Sequence, residues 1–165
     1  MKQQTALNKT TIGRADTIDF VMLGIKAIPA KIDTGAYRSA VHASDIKLSK
    51  DKKTLSFTLL GSHPICGPLS QRIEAKRFQT VIIENSFGHQ EERYEVEFKV
   101  SLAGKTFDTS FTLANRGTKV FPVLIGRKLL NRRFVVDTSK ATVHRGDLKR
   151  KYHLKFDVDV ENDRV

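Results

Sequence analysis

Lys31-Ile32-Asp33-Thr34-Gly35-Ala36 is the stretch on which the reading of this chain turns. An apolar, β-rich lead (Ile25, Ala27, Ile28, Ala30, Ile32) delivers an acidic side chain into a turn made by Thr34 and Gly35. Each residue type has a physical use there. Asp33 can serve as general acid or base, the Thr34 hydroxyl can hold a neighbouring loop, and Gly35 leaves backbone room beside the carboxylate. Asp, Thr and Gly are also ordinary turn residues, so the tripeptide alone reads first as a strand-ending turn.

A second stretch adds what the first lacks. Phe121-Pro122-Val123-Leu124-Ile125-Gly126-Arg127-Lys128-Leu129-Leu130 is an apolar strand, a Gly-Arg turn and the opening of a short helix. Asp-Thr-Gly-Ala followed late in the chain by apolar-Ile-Gly-Arg-x-Leu-Leu resembles the retropepsins, the single-domain aspartic proteases. With Phe111-Thr112-Leu113-Ala114-Asn115-Arg116 and Arg133-Phe134-Val135-Val136-Asp137, the chain is similar to the retropepsin-like family of bacteria and archaea often labelled "ATP-dependent zinc protease". The resemblance covers about residues 12–140 and implies an all-β fold, a small closed acid-protease barrel with one short helix.

The resemblance also implies a chemistry. Aspartic proteolysis uses two carboxylates that share one proton, one acting on water and the other on the peptide carbonyl. This chain has one Asp-Thr-Gly, so the second Asp33 must come from another copy in a symmetric homodimer. In the retropepsin pattern Thr34, Gly35 and Ala36 shape the active loop, and Gly126 and Arg127 brace it. Retropepsins commonly carry an acidic residue four positions after the catalytic Asp, paired with that arginine. Here Tyr37 stands in its place with Arg38 next, so the brace is rebuilt or absent. Arg38 and Arg116 are candidate contacts for an acidic peptide. Members of the family are associated with ligases that add glutamate tails, which makes trimming such tails one conceivable role.

Periodicity supports the all-β reading independently of the resemblance. Residues 1–11 are polar and read as a frayed, disordered N-terminus. Thr17–Gly24 and Ile25–Ile32 read as a hairpin, and Thr54–Leu60 as a half-buried strand. Gly61–Ser70, with two Gly and two Pro, reads as a surface loop or mobile flap. Ile73–Glu84 reads as one long strand, then Asn85–Gly88 as a turn. Glu91–Leu102 and Thr106–Leu113 form a meander, Val120–Ile125 leads to a helix over Gly126–Asn131, and Phe134–Val136 closes the domain. Residues 141–165 form a charged extension with a strand predicted over Tyr152–Val160. Phe57, Phe98, Phe107, Phe111 and Phe134 fall at strand spacing and are expected in the core.

Composition bounds the rest. A chain of 165 residues holds one domain with its own core. Its 29 basic against 18 acidic side chains, a formal +11, favour acidic partners. The basic residues are dispersed, so a solvated basic surface is preferred to a dedicated nucleic-acid site. No apolar run spans a bilayer, Met1–Asn8 has no signal-like core, and Cys66 is the sole cysteine, which together suggest a soluble cytoplasmic protein. Donors for a metal are His42, His63, Cys66, His89, His144 and His153. Only His63 and Cys66 are suggestively spaced, so no metal site is assigned. No phosphate-binding Gly-rich loop supports ATP, and no cofactor is expected. The leading reading is an aspartic endopeptidase. The alternatives are a non-catalytic binding module using the basic face for an acidic protein or RNA, and a metal-dependent hydrolase.

Overall fold

A computed structural model describes residues 8–155. It contains eleven strands: β1 (Thr10–Ile12), β2 (Ala15–Phe20), β3 (Ile25–Ile32), β4 (Ser39–Leu48), β5 (Leu55–Leu59), β6 (Gln71–Ala75), β7 (Gln79–Glu84), β8 (Gln90–Leu102), β9 (Lys105–Ala114), β10 (Val123–Ile125) and β11 (Phe134–Val136). Two short α-helices, α1 (Arg127–Leu130) and α2 (Arg145–Lys151), complete it. The fold is all-β, with two short α-helices where the sequence predicted a single one.

Six strands close a barrel in the order β10-β3-β2-β8-β9-β4, and β4 returns to β10. Alternation explains why these segments are strands. Along β8, Val96, Phe98, Val100 and Leu102 point inward while Glu97 and Lys99 face solvent, so one side is buried and the other wet. Ala103 and Gly104, both with positive φ (47° and 78°), turn β8 into β9 through a two-residue hairpin loop that suits the strand twist. β4 leaves the barrel after His42, bulges between Ser44 and Lys47, and pairs there with β5, which in turn pairs with β6.

The barrel is filled by Phe20, Phe57, Phe98 and Phe111. Phe20 meets Phe98 edge-on at 5.4 Å and Phe111 at 5.7 Å, while Phe57 reaches Phe98 at 6.5 Å. Phe134 is buried near the rim and packs on the partly buried Phe107 at 6.3 Å. These aromatic rings are core, as their spacing predicts.

Four local expectations are corrected. Ile73–Glu84 is two strands, because the chain breaks at 76–78 and β6 pairs with β5 while β7 pairs with β8. Thr10 and Thr11, placed in a frayed terminus by their polarity, pair in parallel with Phe134 and Val135. The segment around 145–151 is helical and buries Leu148, and Tyr152 closes that helix instead of opening a strand. The remainder of the predicted Tyr152–Val160 strand lies mostly outside the described residues. Gly61–Ser70 is no flap: Ile65 and Cys66 are buried and His63 is tied to the neighbouring loop. No helix among the described residues is long and apolar enough to cross a membrane.

Phe20 is fully buried at the centre of the aromatic cluster. Phe20→Ala should cost about 3–5 kcal/mol through lost burial and a residual cavity, read as a shift in urea midpoint at unchanged m-value.

Candidate active site

β3 ends at Ile32, and Asp33 continues its ladder by donating its backbone N–H to Ile125 O at 2.8 Å. The chain then turns back on the Asp33 carboxylate. Its Oδ1 accepts the N–H groups of Gly35 at 2.9 Å and Ala36 at 3.2 Å. The carboxylate is therefore oriented by its own loop, half-buried, with Thr34 and Gly35 exposed beside it.

Gly126 and Arg127 hold this loop from the other side. Arg127 N–H donates to Ala36 O at 2.8 Å and Lys128 N–H to Tyr37 O at 2.9 Å. The Arg127 guanidinium donates through Nη1 to Thr34 O at 3.0 Å and Gly35 O at 2.9 Å, and lies 5.9 Å from the Tyr37 ring. The brace is thus rebuilt on carbonyl oxygens and an aromatic face. Thr34 takes part through its carbonyl oxygen, where the sequence suggested the hydroxyl. Gly126 is required by closeness: a Cβ there would sit 2.7 Å from Arg38 O and 2.8 Å from Tyr37 O. Its N–H donates to the buried Ser39 Oγ at 3.0 Å.

The acidic partner missing at position 37 reappears elsewhere. Arg38 forms an ion pair with Glu95, which is only 3% exposed. Glu95 also accepts from Gln79 Nε2 at 2.7 Å and pairs with Lys128 Nζ at 3.4 Å. Burial pushes the Glu95 pKa up, but the hydrogen bonds of Gln79 and Arg38 and the charges of Lys128 and Arg38 outweigh it. The carboxyl is held below its ordinary range. Glu95 sits where β8 exchanges β7 for β9 as its partner, opposite both Gln79 and Thr112. Sequence reasoning missed it because it lies on the outward-facing side of β8 with Glu97 and Lys99. Arg38, Gln79 of β7 and Lys128 of α1 cover it.

A cleft of about 440 Å³ opens between the active loop and the β7–β8 hairpin. Gly35, Ala36 and Tyr37 form one wall, and Ile82, Ile83 and Glu84 the other. Arg38, Arg93, Arg116 and Arg127 all line it. The hairpin's tip carries Phe87, 85% exposed. Arg38 and Arg116, expected as substrate contacts, share this cleft; Arg93 was not anticipated. Asp33 precedes the loop wall and does not itself line the cleft.

Three of the sequence's metal donors lie in the interior. His42 and His63 bond to backbone groups, and Cys66 is buried with its thiol pushed up to about 12 by burial. Among the described residues, no group of three or more His, Cys, Asp or Glu side chains is placed to hold a metal.

The family model described as "Retropepsin-like aspartic endopeptidase RimB" matches residues 12–146. The chain belongs to this family. Retropepsin-like relatives include proteins named "Probable alpha-L-glutamate ligase" from Shewanella pealeana, 32% identical over 86% of this chain and 32% of theirs. Another, from Shewanella halifaxensis, is 33% identical over 81% of this chain and 30% of its own. The chain thus spans about a third of these relatives. A Legionella pneumophila protein of unknown function shares the retropepsin-like fold, with TM-score 0.63 and 22% identity over 81% of this chain and 96% of its own.

Two predictions follow the loop's construction. Gly126→Ala should destabilise the fold by about 1–3 kcal/mol, since the crowded atoms are backbone and cannot swing aside; thermal melting measures it. Arg38 and Lys128 are partly exposed and regain water when Glu95 is neutralised, so Glu95→Gln should cost only about 1–2 kcal/mol. The sign with pH is fixed by the lowered carboxyl pKa. The Glu95 contribution is present above its ordinary 4.5 and is lost as pH falls through the folded value. The stabilities of wild type and Glu95→Gln should therefore converge in acid; a gap that stays constant would refute the ion pairing.

Proposed function

We propose that this chain is an aspartic peptidase of acidic peptides, homodimeric in its active form, with Asp33 of each copy activating water. The observation that carries the reading is the placement of Asp33. It stands at the tip of β3 with Oδ1 fixed by two amides, beside a cleft walled by four arginines.

Fixing Oδ1 leaves Oδ2 for chemistry. In the dimer one carboxylate is ionised and the other protonated, because two like charges at that distance cannot both ionise cheaply. The ionised one takes a proton from water, the other donates a hydrogen bond to the peptide carbonyl, and water oxygen attacks the carbonyl carbon. Collapse breaks the C–N bond as the amine nitrogen takes a proton from the dyad. Arg127, anchored on Thr34 and Gly35 carbonyls, keeps both loops in register. That Asp33 does not line the cleft suits a site completed by a second copy, and Thr34 and Tyr37 are exposed where that copy would meet it.

The substrate reading rests on charge. Four arginines line the cleft; Arg38 is paired with Glu95 and Arg93 with Glu91, while Arg127 is held by neutral carbonyl oxygens and keeps its charge, and such a guanidinium fork suits a carboxylate. Relatives named as glutamate ligases make a glutamate-bearing peptide the natural first choice. The same arginines would also serve a module that binds acidic chains without cutting them.

Asp33→Asn separates those readings. Cleavage of a synthetic oligoglutamate-tailed peptide, followed by mass spectrometry, should fall at least 100-fold while peptide binding and fold persist. Mixing excess Asp33→Asn into wild type should depress activity further than dilution does, because mixed dimers hold one competent carboxylate. Activity that scales simply with wild-type content would sink the shared site.

A further inference from the structure

His42 on β4 and His63 in the 61–70 loop are buried behind the cleft, ring centroids 5.2 Å apart, edge to face. Every ring nitrogen has a task. His42 Nδ1 accepts the Arg116 backbone N–H at 2.8 Å, so Nε2 carries the proton and donates to Gly61 O at 2.8 Å. His63 Nδ1 accepts the Ile65 N–H at 3.2 Å, so its Nε2–H points at the carbonyls of Arg116, 3.1 Å, and Lys119, 3.0 Å. Arg116 is thereby gripped at its N–H by one imidazole and at its carbonyl by the other. Its own Nε donates to Phe121 O at 2.9 Å, and the residue lines the cleft.

We propose that His42 and His63 are positioning residues, a pair of neutral imidazoles that sets the Arg116 guanidinium in the cleft and releases it when either ring gains a proton. A proton added at either Nδ1 would face a backbone N–H, donor against donor. The charges acting on the rings add to the penalty. The Arg116 guanidinium disfavours a second positive charge on both, and His42 disfavours one on His63. Cys66, on the His63 loop, is a thiol pushed up to about 12 and contributes no countercharge. Burial first of all, then these charges, holds both rings below their ordinary range, His63 at about 4. The pair is therefore neutral at physiological pH and opens only in acid.

This deepens the reading of the cleft as a receptor for acidic peptides and rests on it. Loss of the clamp should weaken peptide binding, a KM effect, without touching the Asp33 dyad.

The test has an arm that needs no substrate. Nitrogen-15 NMR of the full chain at pH 6 should show both rings neutral in the Nε2–H tautomer. On acidification, the Arg116 backbone amide and Nε–H signals should move with the His63 titration near 4. Rings already charged at pH 6, or Arg116 signals indifferent to them, would overturn the clamp even if no variant folds. His63→Gln keeps an Nε2 donor but cannot take the proton, so its Arg116 signals should lose the step near 4 and keep only the change that His42 imposes; His63→Leu should displace them at neutral pH. The second arm uses a peptide with sulfonates in place of carboxylates, which stays charged in acid. Its affinity for wild type should drop roughly fourfold between pH 6.5 and 3.5, relative to His63→Gln, from the shrinking neutral fraction. Equal acid sensitivity in the two proteins would overturn the proposal. NMR coupling without any peptide binding would instead count against the proposed substrate.

Discussion

Three residues, Val123–Ile125, set the geometry of everything at the loop. β10 lies parallel to β3 and antiparallel to β4, so it closes the barrel with one short strand. Its pairing with Ala30–Ile32 fixes where Asp33 emerges, and its end releases Gly126 and Arg127 against the same turn. The two motifs, distant in sequence, become adjacent through a ladder of three residue pairs. A parallel pair cannot be made by a tight turn, which is why the motifs must lie far apart in the chain.

With that contact in place, the loop is stabilised mostly by neutral acceptors. Arg127 donates to two carbonyl oxygens and rests near Tyr37, which orders the guanidinium without cancelling its charge. Tyr37 stands where retropepsins commonly carry a neutralising carboxylate, and an acidic anchor, Glu95, binds Arg38 and Lys128. The same Glu95 accepts from Gln79 of β7. One buried carboxylate thus ties the start of β4, helix α1 and the overhanging hairpin together. Moving the anion away from Arg127 keeps positive charge at the cleft and couples the hairpin's base to the loop.

Much of this was legible because it is local. The apolar lead into Asp33, the alternation of β8 and β9, and the strand-turn-helix at 121–130 are written in periods that strands and turns impose. What was not legible depends on which surface covers which. Gly61–Ser70 has the composition of a free loop, yet Ile65, Cys66 and His63 are drawn inward once the 115–121 loop offers carbonyls to His63. The strand and turn read over Ile73–Gly88 contain the arm and tip of the hairpin over the cleft, but the break at 76–78 is not legible, since nothing in an alternating pattern reveals a change of partner. Glu95 follows the rule for an exposed residue and is buried only by its neighbours. Helix α2 has one buried residue, Leu148, too little apolar periodicity to announce a helix.

The two imidazoles follow from the same economy of backbone contacts. The segment between β9 and β10 must cross from one barrel strand to another, and such a crossing leaves backbone groups without ladder partners. At 115–121 those groups are met partly by side chains: His42 takes the Arg116 N–H, His63 the Arg116 and Lys119 carbonyls, and Arg116 itself the Phe121 carbonyl. Imidazole suits this position because its neutral form is donor and acceptor at once, on opposite edges of a rigid ring. An amide could imitate one edge, and a hydroxyl is too short to span two loops. The residue type that best satisfies the backbone is also one that a proton can disable. The support of a crossing loop therefore carries a built-in response to acid, and Arg116 is where that response reaches the cleft.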